Sequence, residues 1–95
     1  MSLHFEWDPK KAAANLAKHG VAFEEGITVF ADPLARIFDD EEHSIEEERE
    51  IIIGHSTKHR LLLVSCTARG ASIRILSVRK ATRRERQDYE ENVSS

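Results

Sequence analysis

A chain of 95 residues holds one hydrophobic core and therefore one domain spanning 1–95. With 40% hydrophobic and 33% charged residues, an apolar run no longer than Leu61–Val64 and a single cysteine, the composition excludes wholesale disorder, a membrane-spanning helix and an internal disulfide. The net charge of −3 excludes a uniformly basic nucleic-acid binder, but residues 1–57 carry 5 Lys/Arg against 13 Asp/Glu while residues 58–95 carry 9 against 4, so any field that attracts polyanions belongs to the C-terminal segment.

Asp8-Pro9 ahead of Lys10–His19, with Gly20 behind, predicts a helix with an Asp N-cap, proline in its first turn and a glycine stop. Ala12, Ala13, Leu16 and Ala17 give it one narrow apolar face suited to packing on a sheet. Phe23, Ile27, Phe30 and Ala31 recur at helical spacing, so a second short helix should end before Asp32-Pro33, weakened somewhat by Gly26. Leu34–Asp39 is a candidate strand, followed by a self-repelling acidic stretch from Asp39 to Glu48 that is expected to be a solvated, disordered loop. Glu50–His55, Leu61–Thr67 and Ser72–Val78 predict three more strands, joined by short turns at Ser56–His59 and Ala68–Ala71 that favour an antiparallel meander. Thr82-Arg83-Arg84-Glu85 is a capping box, opening a polar helix that runs to about Asn92 and docks weakly through Tyr89 and Val93.

The expected architecture is α+β: two N-terminal helices packed on a four-stranded antiparallel sheet, then a polar C-terminal helix, with the second sheet face partly open. Strand alternation puts Ser65, Thr67 and Arg69 on one face of the third strand, and Arg74, Leu76, Val78 and Lys80 on one face of the fourth. A hairpin between them would bring Arg69, Arg74 and Lys80 together beside Thr67 and Ser65, with Arg79 and Arg60 at the edges. Guanidinium and ammonium groups so placed suit phosphodiester chemistry, because they pair with phosphate oxygens and stabilise the added charge of a pentacoordinate transition state. The same residues equally suit an exposed sheet face that binds nothing.

RNA carries its own nucleophile, the 2′-hydroxyl, so a protein acting on it needs a proton acceptor, a donor and cations. His55, His59, Glu85 and Lys80 are all candidates for the acceptor, although a lysine would first have to be made a better base, and turn histidines and a capping-box glutamate need no such role. The five histidines, at positions 4, 19, 43, 55 and 59, do not combine with cysteine or carboxylate pairs into a metal site, and no cofactor is expected. Cys66 reads as a small core residue, and Phe5 and Trp7 as packing residues ahead of the first helix.

Two groups of residues together resemble the BrnT family of bacterial toxins. The first is Phe5-Glu6-Trp7-Asp8-Pro9-Lys10-Lys11, Asn15, Lys18-His19-Gly20-Val21 and Phe23-Glu24-Glu25. The second is Arg49, Ile53-Gly54, Arg60-Leu61, Thr67, Arg69-Gly70, Ile73-Arg74-Ile75, Ser77, Arg79-Lys80-Ala81-Thr82, Glu85-Arg86 and Tyr89-Glu90. The resemblance covers nearly the whole chain. It implies a RelE-like fold, a metal-independent endoribonuclease that inhibits translation, and a type II toxin–antitoxin system; the lone cysteine and the lack of a secretion signal point to a cytoplasmic location. It further implies a BrnA-like antitoxin with a ribbon-helix-helix domain, through which alone operator DNA is bound and whose dimer would set the oligomer; no membrane is involved. Carried over by position, Arg69, Arg79 and Lys80 are the candidate cleavage residues, and Arg60, Arg74 and Arg83 the candidate RNA-binding residues. His59 stands where a smaller turn residue, often glycine, is expected, and Gly26 where alanine is usual. The rival expectation from the residues is a non-catalytic module whose basic hairpin docks a protein partner or DNA.

Overall fold

The computed structural model describes residues 3–40 and 48–94. Strand β1 (His4–Glu6) leads into α1 (Pro9–His19) and α2 (Phe23–Ile27), the latter tightening into a 3-10 turn over Thr28–Ala31. There follow β2 (Arg36–Asp39), β3 (Glu50–His55), β4 (Leu61–Arg69), β5 (Ser72–Lys80) and α3 (Arg83–Ser94). Residues 41–47, the centre of the acidic loop expected from the sequence, lie outside the described residues. Among the described residues no helix is long and apolar enough to cross a membrane.

The expected four-stranded antiparallel sheet is corrected to a five-stranded mixed one, ordered β1-β5-β4-β3-β2. The meander β2 to β5 is antiparallel throughout, as its short turns dictate, while β1 adds parallel to the outer edge of β5, Phe5 opposite Ile73. Three residues are too few to carry a readable alternation; β1 exists because β5 offers it an open ladder. It covers only Ser72–Arg74, and among the described residues the rest of that edge of β5 has no strand partner.

Helix α1 begins and ends as its sequence predicts: the Asp8 carboxylate accepts the Lys10 N–H at 2.8 Å, and Gly20, at φ 70°, donates its N–H to the Leu16 carbonyl. Its buried face, however, is not the alanine stripe. Leu16 is 51% exposed and Ala13 and Ala17 are exposed, whereas Ala12 packs on the core and Asn15 is buried. The Asn15 amide donates to the carbonyls of Val21 and Val78, at 3.0 and 2.8 Å, and its oxygen accepts the Val78 N–H at 3.1 Å. One side chain thus stands in for a missing strand beyond the end of β1, and fully satisfied hydrogen bonding is what allows it to be buried.

The main core lies between α1, α2 and one face of the sheet, where Val21, Phe23 and Val29 meet Ile52, Leu62, Val64, Cys66, Ile75 and Val78. Burial pushes the Cys66 thiol up to about 11, in keeping with an inert core residue. A Cβ built on Gly26 would stand 2.5 Å from Val78 Cγ2, so glycine here permits close contact between α2 and β5. The opposite face carries a smaller cluster of Ile53, Leu61, Leu63 and Tyr89, with Ile51 and Ala81 against it. Tyr89 is 4% exposed and its hydroxyl donates to the Leu34 carbonyl at 3.3 Å, so it anchors α3 on the sheet more firmly than the helix's polar sequence predicts.

Candidate functional site

The face beneath α3 is organised by an irregularity in the β4–β5 hairpin. Ser65 pairs with Ser77, but Cys66 pairs with Ile75, so Leu76 is an extra residue in β5. Ile75 and Val78 both point into the helix-side core, and the parity of the strand reverses between them. Arg79, opposite Leu63, therefore shares the α3 face with Arg74, opposite Thr67, while Lys80, opposite Leu62, falls on the helix side. Uninterrupted alternation predicts the reverse, Lys80 with Arg74. Arg69 continues the row Leu63, Ser65, Thr67 on β4 and lies on the α3 face as expected.

The cations consequently form a track and not one pocket. Arg79 and Arg69 lie at opposite ends of the hairpin, about 20 Å apart along β4, with Arg74 between them beside Thr67. The expected meeting of Arg69, Arg79 and Lys80 at one point does not occur. Thr67 is buried, its hydroxyl donating to the Glu48 carbonyl at 2.7 Å. Arg74 pairs with Glu6 at 2.9 Å, its register partner on β1. By the same alternation, Arg49, two residues before Ile51, extends this face across β3. Its parity with Ile51 and Ile53 was the sequence signal for it.

Arg79 is the most elaborately held of these groups. Its two terminal nitrogens donate to the two oxygens of Glu85, each at 2.8 Å, and Nη1 also reaches the Lys80 carbonyl at 3.2 Å. Glu85 at the same time closes the capping box of α3: it accepts the Thr82 N–H at 2.8 Å, and the Thr82 hydroxyl accepts the Glu85 N–H at 3.1 Å. Arg79, with the Thr82 backbone assisting, holds the Glu85 carboxyl down to about 2, so it is ionised at neutral pH and raises the Arg79 pKa in return. The start of the helix and the orientation of the guanidinium are thus one construction. Arg83, the first residue of α3, is exposed beside it.

Arg60 lies elsewhere. It sits on the helix side, where Nε donates to Glu25 at 2.8 Å and Nη2 makes a second, short bond to the other oxygen. Glu25 is buried and also accepts the Ser56 hydroxyl at 2.7 Å; Arg60 above all keeps its carboxyl below the usual range. This triad clips α2 to the β3–β4 turn. His55 turns toward Asp32, Nδ1 to Oδ2 at 3.8 Å, and its ring meets Tyr89 edge-on, so it flanks α3 on the side away from Arg79. His59 adopts φ 62°, a backbone state that favours glycine, which explains why a smaller residue is expected there. Between α3 and β2 the α3 face opens into a cleft of about 210 Å³ that the sequence did not disclose, lined by Arg36, Phe38, Ile53, Leu63, Glu85, Asp88, Tyr89 and Asn92.

No curated protein matches this sequence significantly. The crystal structure of the ribonuclease toxin BrnT of Brucella abortus matches the fold with a TM-score of 0.66 at 22% identity, over 86% of this chain and 100% of that one. The family described as the ribonuclease toxin BrnT of type II toxin–antitoxin systems matches residues 7–85, from the approach to α1 through the Arg79–Glu85 pair. The chain therefore belongs to the BrnT family of ribonuclease toxins of type II toxin–antitoxin systems.

Proposed function

We propose that this chain cleaves RNA without a metal, in the cytoplasm, by directing the 2′-hydroxyl of a nucleotide onto the neighbouring phosphorus. The P–O5′ bond breaks, the 2′-hydroxyl proton passes to solvent water, the departing 5′-oxygen takes a proton from solvent, and a cyclic phosphate and a 5′-hydroxyl result. The observation that carries this reading is the alignment of Arg79, Arg74 and Arg69 on one sheet face, with Arg79 fixed by a carboxylate that is itself fixed by a helix cap. Arg79 holds the scissile phosphate and stabilises its added charge, since a guanidinium already locked in place needs no reorganisation as the charge develops. Arg74 and Arg69 hold the RNA backbone further along the hairpin, and Arg83 holds it at the start of α3. Glu85, with a pKa near 2, is too weak a base to take the hydroxyl proton and acts by positioning Arg79. Lys80 and Arg60, on the other side of the sheet, are outside this track.

The toxin is silenced by a BrnA-like ribbon-helix-helix antitoxin that covers the arginine track; operator DNA is reached only through that antitoxin, whose dimer brings two toxins together. Purified toxin, freed of antitoxin, should cut single-stranded RNA in the presence of EDTA, and Arg79→Ala should lower the rate about 100-fold or more with the melting temperature little changed. RNA left intact by the wild type, with or without EDTA, removes the enzymatic reading and favours a docking module. In that case each arginine would instead lower affinity gradually, with a shallower salt dependence.

A further inference from the structure

We propose that the cleft between α3 and β2 is a nucleobase subsite, which takes an unpaired base, guanine by preference, from the nucleotide next to the phosphate held at Arg79. The inference rests on the RNA-cleavage reading and adds to it what the toxin reads in sequence.

Position is the first argument. Leu63, on the floor of the cleft, is the cross-strand partner of Arg79, and Glu85, which holds Arg79, forms part of the wall. A chain whose phosphate rests on Arg79 therefore has the cleft beside it.

Size and chemistry are the second. At about 210 Å³ the cleft is smaller than the ~300–1,000 Å³ of sites for drug-sized ligands and suits one planar ring system. Its floor is the buried pair Ile53 and Leu63. At its mouth Phe38 is 47% exposed, so an aromatic ring of a β2 edge residue is left open for stacking, the interaction by which unpaired bases are commonly held.

Charge is the third. Glu85 is neutralised by Arg79, and Arg36 offsets Asp88, so the cleft has no excess of positive charge with which to hold a phosphate. An uncharged base meets no such objection. Asp88, exposed at the rim, offers two acceptor oxygens and no donor. Guanine alone presents two donor groups, N1–H and the 2-amino group, side by side on its pairing edge; adenine, cytosine and uracil each present one.

The experiment is an amide chemical-shift titration of the wild-type toxin with 5′-GMP, 5′-AMP, 5′-CMP and 5′-UMP. It is paired with cleavage assays on a single-stranded RNA oligonucleotide and on its copy made abasic next to the cut. GMP should perturb Phe38, Ile53 and Asp88 at concentrations about tenfold lower than the other three. Phe38→Leu, checked for an unchanged melting temperature, should weaken GMP binding about tenfold and raise KM for the intact oligonucleotide, with no further effect on the abasic one. Asp88→Asn should level the four nucleotides. Perturbations confined to other surfaces, or a Phe38→Leu variant that binds GMP and cuts RNA like the wild type, would overturn the subsite while leaving cleavage standing. Binding of all four nucleotides with equal strength would overturn the guanine preference. GMP bound at Phe38 by a toxin that cuts no RNA would overturn the cleavage reading instead.

Discussion

Two carboxylate–guanidinium pairs, Glu25–Arg60 and Glu85–Arg79, use the same two-pronged geometry on opposite faces of one sheet and do different work. Glu25 is 4% exposed, shares its oxygens with Ser56, and ties α2 to the β3–β4 turn; Arg60 has little left to offer a ligand. Glu85 is 30% and Arg79 39% exposed, and the Nε edge of Arg79 makes no hydrogen bond among the described residues. The first pair closes a seam, whereas the second presents a cation in a fixed pose. Partner chemistry alone does not tell a pair sealed into the fold from one that presents its guanidinium at the surface; what surrounds the pair does.

If the helix side is built for stability and the α3 side for presentation, substitutions should divide accordingly. The largest loss should follow Asn15→Ala, which leaves the N–H and carbonyl of Val78 and the carbonyl of Val21 without their partner: about 2–4 kcal/mol by urea unfolding, with cleavage per folded molecule unchanged. Gly26→Ala should cost less, about 1–3 kcal/mol, because the new methyl group displaces Val78; a stabilised variant would contradict the close contact between α2 and β5.

A smaller effect is expected at acid pH. Both glutamates have folded pKa values below their ordinary value near 4.5, so each contributes stability that is present above that pH and lost as pH falls. For Glu85 the loss runs from about 4.5 to about 2, and Glu85→Gln should flatten that limb of a pH-dependent unfolding curve. Glu25→Gln should do the same on the helix side while leaving RNA cleavage intact, which Glu85→Gln should not. Least of all should stability respond to Arg79→Ala, by under about 1 kcal/mol, since a pair this exposed is screened by solvent. A large drop in stability there would place Arg79 with Arg60 as a structural residue and erase the contrast.

Much of the fold was legible because it is local. The Asp8-Pro9 start and Gly20 stop of α1, the Thr82/Glu85 box of α3, and the periodicity of β3 to β5 each reside within a few residues of sequence. What escaped is set by contacts far apart in the chain. Strand β1 is defined by β5, as in the Glu6–Arg74 pair 68 residues apart, and Asn15 is buried only because Val78, 63 residues away, accepts and donates to it. The arginine track was half legible: Arg69, Arg74 and Thr67 follow from alternation, but an extra residue leaves no mark on composition or spacing, so Arg79 and Lys80 exchanged places.

The additional residue at Leu76 acts as a phase setting for everything downstream in that strand. Because Arg79 and Lys80 are consecutive, pairing without the bulge, with Leu76 opposite Ser65, would set Lys80 beneath α3 in place of Arg79 and still leave a positive charge there, so the electrostatics would survive the shift in register. The hinge between strand and helix would not, for an ammonium is a point charge and cannot reproduce the planar fork that Glu85 grips. The register of this hairpin is therefore constrained by shape, and the toll of a slip should fall on the coupling of the last helix to the sheet before it falls on charge.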